Sequence, residues 1–427
     1  MTRRAAWVTT LTVLVLGGLR VTPAGADVLT ETEIKKLAAV PARDTRDLTL
    51  SPDGERIAYV LTRANQRVVV IDGKEQGEPC DDVRGLAFSP GAKYAAWAGC
   101  REGVWFPAVN GKEGERYTSV CGPVFSADEK HFAFAASRGH GRCYVIQDGV
   151  QQIQYAAVGS EPPVFSPDSR RLAWEARSSG TAARIDVRNP DRTAPPNEPP
   201  PDWVTDDGKE VDLNSASIPR THFIVLDDRK GIRTTDIKHP VFSPNSRTLV
   251  YAAAFADKWF LVCDDRKVGR IFEDLGRPVF SANSRSLAYP AKWEGKWLVV
   301  EGKKKHDPFD GVAHLTFSPD SKRLAYAAET ARKWRLVCEG RKSGEFDGIE
   351  GIVFSRDSRH VAWIVRRGMR RQLLIDGVEG AAHARVIFPD EAVTKKDRLR
   401  CVVIDGEDAS LVEVDWPADT TWENAVK

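Results

Sequence analysis

The sequence predicts an all-β protein: a β-propeller of four-stranded antiparallel blades in a single ring, with about nine repeats of 37–40 residues and a range of eight to ten. Three observations predict it. A Phe-Ser-Pro-Asp-Ser block followed by Arg-Leu-Ala-Tyr recurs at a nearly fixed step, an aromatic residue keeps one place in each copy, and turn residues punctuate every strand-length run.

Residues 1–26 have the parts of a secretory leader: Arg3 and Arg4, an apolar run over residues 5–19, and Ala24-Gly25-Ala26 before Asp27. The apolar run is short for a bilayer span and is interrupted by Gly17, Gly18 and Arg20. An exported protein, periplasmic or extracellular after cleavage near Ala26, is therefore expected, with no transmembrane span in the mature chain. Loss of Arg3, Arg4 and Arg20 takes Lys+Arg from 62 to 59 against 60 Asp+Glu, so a net charge of +2 becomes −1. A nucleic-acid partner is not expected, because such binders carry a basic excess or stripe. Residues 27–47 read as a short N-terminal helical segment, with a capped helix from Thr30 to Ala39.

The repeats occupy residues 48–416. Blocks such as LSPDGERIAYV, FSPDSRRLAWE and FSPDSKRLAYA place their first serines at Ser51, Ser89, Ser126, Ser166, Ser243, Ser281, Ser318 and Ser355, in steps of 38, 37, 40, 77, 38, 37 and 37. A degenerate copy, TDDGKEVDL with Thr205 in the serine slot, splits the long step into 39 and 38 and makes nine registers. In each, a first apolar strand enters the Ser-Pro-Asp-Ser turn, where proline presets one dihedral and Asp, Ser or Gly tolerates the rest. The second strand carries the aromatic: Tyr59, Trp97, Phe134, Trp174, Tyr251, Tyr289, Tyr326 or Trp363, with Leu213 in the degenerate copy. A third strand ends in Asp-Gly, Glu-Gly or Asp-Asp, which is hairpin chemistry, and a fourth leads to the next block. Four short strands cannot bury both faces alone, so the copies must stack, and a closed ring removes the exposed edges. Residues 189–202, NPDRTAPPNEPPPD, are too proline-rich for a strand and read as an exposed stiff loop. Residues 385–416, with VIFPD and RCVVIDG, are either a shortened tenth copy or a closing element, and residues 417–427 form a tail.

This FSPDS-RLAY pattern resembles the WD40-like (PD40) repeats of the TolB type over residues 48–380. The resemblance implies a propeller and, for function, a non-catalytic binding or protein-interaction scaffold. Two departures stand out: nine registers exceed the usual four to eight blades, and no separate N-terminal domain of the TolB kind precedes the repeats. TolB-like propellers also occur fused to prolyl-oligopeptidase-type hydrolases, but the sequence has no stretch for such a catalytic domain.

No GxSxG, HExxH, CxxC or GxxxxGK[ST] motif occurs, so neither a hydrolase, metalloprotease or nucleotide-binding activity nor a cofactor is expected. The alternative function is a lyase-like carbohydrate-active propeller acting on acidic saccharides; a third is an envelope-associated structural protein. In the WD40-like arrangement the strand ending in FSPD is innermost, and the residue three before its Phe is expected at the channel mouth. That slot holds His239, Arg277 and His314 in three consecutive registers, with Arg84 one place further out in the second, making a mildly basic ligand-binding mouth for an acidic saccharide or a partner protein's carboxylates. Ordinary loop polarity is the plainer explanation of these residues. The two histidines, two registers apart, lack close metal-ligand spacing.

Other recurring residues have plainer expectations. Asp81, Glu273, Asp310 and Asp347 precede their Phe by seven and serve either Ca²⁺ or turn formation. His131 and His360 are expected on a solvated rim among basic neighbours, and Trp259, Trp297 and Trp334 as packing between blades. Of seven cysteines, Cys263 and Cys338 read as small buried apolar residues, whereas Cys80, Cys100, Cys121 and Cys143 are the disulfide candidates.

Overall fold

A computed structural model describes residues 29–41, 44–140, 142–152, 154–158, 161–178, 221–227, 229–255, 257–418 and 420–422. The leader, the proline-rich stretch and the copy at Thr205 lie outside the described residues. Nine antiparallel sheets form the blades. Blades 1 to 8 open with the strands Thr45–Leu50, Asp82–Phe88, Ser119–Phe125, Ala157–Val158 with Val164–Phe165, Asp236–Phe242, Asp274–Leu275 with Val279–Phe280, Gly311–Phe317 and Gly348–Phe354; blade 9 opens with Arg385–Ile387. First strands of blades 1 to 5 and of blades 6 to 8 touch their successors in turn, so the first strands are the inner wall of the ring. Among the described residues no helix is long and apolar enough to cross a membrane.

Both serines and the aspartate of the recurring turn have partners. In blade 7 the buried Ser318 hydroxyl donates to Asp320 (2.5 Å) and accepts from the Arg323 N–H (3.0 Å), while Asp320 also accepts from the Lys322 N–H (3.1 Å). The second serine adopts a left-handed backbone, φ 65° at Ser321, and its hydroxyl accepts the N–H of Asn283 in blade 6 (3.1 Å). The same bond runs from Asp128 to Ser169, Asp168 to Ser246, Asn245 to Ser284 and Asp320 to Ser358, so the turns form a hydrogen-bonded belt around one face. Blade 9 lacks the serine, and Asp397 accepts from the Arg356 N–H instead (2.8 Å). Ser321→Ala removes an acceptor and puts a Cβ residue without a local hydrogen bond at positive φ, so a loss of about 1–2 kcal/mol is expected in urea unfolding, and Ser321→Gly should lose less. Wild-type midpoints for both variants would show that the belt carries no stability.

Alternation along the strands builds one apolar core between each pair of neighbouring blades. Ala252 and Leu261 of blade 5 meet Tyr289 and Leu298 of blade 6, whereas Tyr251 and Phe260 turn back towards Ile224 of blade 4. Nine such cores complete the circle, including Val402 and Leu411 of blade 9 against Ile57 and Tyr59 of blade 1. The eight described aromatics of the second-strand ladder are all buried.

The N-terminal segment departs from expectation. Residues Glu31–Lys36 form a β-strand, not a helix, pairing with Asp408–Val414 as the outermost strand of blade 9. Its side chains are almost all exposed, so the strand is held by ladder hydrogen bonds rather than by an apolar stripe. Residues 385–414 are thus a closing element completed by the N-terminus. Among the described residues this is the ninth blade, and the second strand of blade 4, Leu172–Arg177, pairs directly with His222–Leu226 as its third strand.

Candidate functional site

The inner wall carries the predicted site residues at a recurring irregularity. Opposite the second-strand aromatic, the first strand bulges: the register shifts between Arg84 and Ala87, Cys121 and Val124, Lys238 and Val241, and Ala313 and Thr316. The residue three before the Phe sits in that bulge with positive φ: Gly85 at 63°, Gly122 at 43°, His239 at 57° and His314 at 54°. Glycine suits such a backbone; at Gly122 a Cβ would also come within 2.2 Å of Pro162. Histidine accepts the same conformation at a cost of about 1–2 kcal/mol. His239 and His314 are the middle residues of seven-residue inner strands.

Four consecutive blades share the polar arc. Glu161 of blade 4 accepts the backbone N–H of His239 through both oxygens (2.9 and 3.1 Å), and its carboxylate lies 3.2 Å from His239 Nδ1. Burial alone would push the Glu161 carboxyl up. Hydrogen bonds from the His239 ring and backbone, together with the nearby charges of His239 and Arg277, override burial and hold it below the usual range. Arg277, in blade 6, is exposed. His314, in blade 7, reaches water, yet desolvation by the surrounding walls pulls its pKa below the ordinary imidazole value, against the Ile349 backbone and Glu350, which raise it.

Arg84 does not join this arc. It pairs with Asp82 (2.9 Å) and lies over the ring of Trp105, 4.4 Å from its centroid, as Lys238 lies over Trp259 at 4.0 Å. Glu161 was not anticipated, although the 40-residue step from Ser126 to Ser166 signals it. In blade 4 Val158 pairs with Ala176 and Val164 with Ala173, so the inner strand is interrupted where Glu161 lies.

The remaining recurring residues have structural roles. Carboxylates of Asp81, Glu273, Asp310 and Asp347 accept backbone N–H groups of Glu102 (2.7 Å), Gly295 (3.2 Å), Ala331 (2.8 Å) and Gly368 (2.8 Å), capping the hairpin between the second and third strands of the following blade; lysines 296 and 333 pair with Asp310 and Asp347. Turn chemistry accounts for their recurrence. His131 and His360 each meet an acid, their Nδ1 atoms 2.7 and 2.6 Å from Asp148 and Asp376, the place Arg56 takes against Asp72; His131 is half-exposed, whereas His360 is buried beneath Trp416 and not on a solvated rim. Trp259 and Trp334 pack against the cores between blades. All seven cysteines are thiols, including the four disulfide candidates, which are spread over blades 1 to 3. Burial raises the pKa of Cys80, Cys100 and Cys121, which keeps them protonated and unreactive.

No protein-family model and no curated protein matches the chain. Solved structures similar to it include a eukaryotic initiation factor (12% identity, 81% of this chain and 88% of that one, TM-score 0.48), the Dos1 propeller (11%, 92% and 97%, 0.44) and the β-propeller domain of the trilobed protease from Pyrococcus furiosus (11%, 70% and 94%, 0.36).

Proposed function

We propose that this chain is an exported, non-catalytic binding scaffold of the WD40-like, TolB-type repeat class, and that the channel arc of blades 4 to 7 takes an anionic ligand, an acidic saccharide or the carboxylates of a partner protein. One observation carries the reading: consecutive blades bring His239, Arg277 and His314 to the same slot of the inner wall, beside the Glu161 carboxylate. Arg277 between them supplies the fixed positive charge. Export rests on the leader-like residues 1–26.

The purified protein is expected to bind acidic but not neutral glycans on an array, with an affinity that falls as salt rises. A His239→Ala, Arg277→Ala, His314→Ala variant should bind at least about tenfold more weakly, the loss of roughly 1.4 kcal/mol or more. No saturable binding by the wild type to acidic glycans or acidic peptides would overturn the reading. A lyase-like activity draws on one feature, the lowered pKa of His314, which leaves a neutral imidazole able to accept a proton at neutral pH. It would show as unsaturated product accumulating in the same samples.

A further inference from the structure

Two slots of the repeat are broken in blade 4 and nowhere else among the described blades in the same way. In the second strand, the residue after the aromatic is Val60, Ala98, Ala135, Ala252, Pro290, Ala327 or Ile364 in other blades, and Glu175 in blade 4. Glu175 is buried, and by strand alternation it shares the side of Ala173, which faces the core against blade 5. At the start of the third strand, four blades carry Trp105, Trp259, Trp297 and Trp334, and blade 4 carries His222. An apolar pair of neighbours has been exchanged for a carboxylate and an imidazole inside an interface, which is unfavourable unless the two groups have a task.

Blade 5 brings a third group. Asp236 begins its inner strand, and its Oδ1 lies 3.6 Å from His222 Nδ1, while Glu175 Oε1 lies 2.8 Å from the same nitrogen. The backbone holds all three in place: His222 bridges Thr234 through two hydrogen bonds (2.8 and 2.9 Å), Asp236 accepts the Ile237 N–H (2.9 Å), and Glu175 sits mid-strand opposite Ile224. Despite these short contacts, the buried Nδ1 of His222 has no properly directed hydrogen bond among the described residues. Its bonding direction is therefore unused while two carboxylate oxygens flank it. In a tetrahedral site with bonds of about 2.0–2.1 Å, neighbouring donor atoms stand roughly 3.3 Å apart. The observed 2.8 and 3.6 Å straddle that value, and all three donor atoms lie within 4.8 Å of one another.

We propose that Glu175 Oε1, His222 Nδ1 and Asp236 Oδ1 form a binding site for a divalent transition-metal ion of the Zn²⁺ class, at the interface of blades 4 and 5. An imidazole among carboxylates suits Zn²⁺ and disfavours Ca²⁺ and Mg²⁺, which take oxygen donors. The half-exposed Asp236 gives the ion a path from solvent, and three protein donors leave a fourth position open. Arg177, whose Nε lies 3.2 Å from Glu175 Oε1, offsets part of the acid charge while the site is empty. The site stands on different residues from the channel arc and does not depend on it.

The test is titration of the chelator-stripped protein with Zn²⁺, and in parallel with Ca²⁺, by calorimetry and thermal unfolding. The wild type should take up one equivalent of Zn²⁺ with a rise in unfolding midpoint, and show no response to Ca²⁺. The double variant Glu175→Ala, His222→Trp restores the residues other blades carry. It should unfold no lower than the metal-free wild type and lose Zn²⁺ affinity by about 100-fold or more. Asp236→Asn, at a half-exposed residue that folding tolerates, should weaken Zn²⁺ in the same direction. Absence of stoichiometric uptake by the wild type, or uptake unchanged in both variants, would overturn the proposal. With Co²⁺ as probe, an intense thiolate charge-transfer band would do the same, by assigning the uptake to cysteine.

Discussion

Trp422→Ala is expected to destabilise the protein by about 3–5 kcal/mol, the usual range for truncating a fully buried tryptophan. Trp422 is 0% exposed although it follows the last blade strand, which ends at Val414. Its ring meets Trp363 of blade 8 edge-on at 5.7 Å, and its Nε1 donates to the Cys338 carbonyl of blade 7 at 3.4 Å. The residue plugs the core between those two blades, where it joins Leu336, Phe346 and Leu374. Truncation leaves a cavity bordered by two sheets that are fixed by their other neighbours and cannot collapse into it. Urea unfolding of variant and wild type measures the loss; a difference below about 1 kcal/mol would mean that the C-terminal segment does not seal the ring.

His383→Gln is expected to cost about 3 kcal/mol at pH 6 and much less at high pH. His383 Nε2 lies 2.8 Å from Glu31 of the N-terminal strand, and its Nδ1 lies 2.6 Å from Asp405 of blade 9. Glu31 also accepts the Ala381 N–H (3.0 Å), so the imidazole fastens the closing strand to blade 8. Hydrogen bonding to Glu31 is the main influence that raises the His383 pKa above its ordinary 6.5; burial opposes it, and Asp405 adds to the rise. A raised folded-state pKa means that the folded form holds the proton more tightly than the unfolded chain does. The stabilisation is then complete below pH 6.5 and fades as pH climbs through the folded-state value. Unfolding of wild type and variant at pH 6 and pH 9 should therefore converge at the higher pH. A gap that stays constant would exclude the charged imidazole as the latch.

The parts of this architecture that repeat were legible, because a turn such as Ser318-Pro319-Asp320-Ser321 satisfies the same local hydrogen bonds wherever Asp or Asn keeps the third place. The buried aromatic ladder followed from the same periodicity. Strand Glu31–Lys36 was not legible, since an outermost strand with exposed side chains has no apolar alternation and its polar sequence reads equally as a helix start. His239 and His314 could be aligned by register, yet their left-handed backbone depends on bulges that do not alter the repeat length. Glu161 met His239 only across a blade boundary, and Glu175 was hidden in a block otherwise faithful to the pattern.

The central functional claim is that the charged arc of blades 4 to 7, and not the glycine-lined wall of blades 2 and 3, receives the ligand. Amide hydrogen exchange with and without a saturating uronic-acid oligosaccharide tests it most directly. Slowed exchange is predicted in the inner-strand segments 157–165, 236–242, 274–280 and 311–317, with no change in 82–88 and 119–125. Protection confined to the outer strands, or spread equally over all nine inner strands, would contradict it.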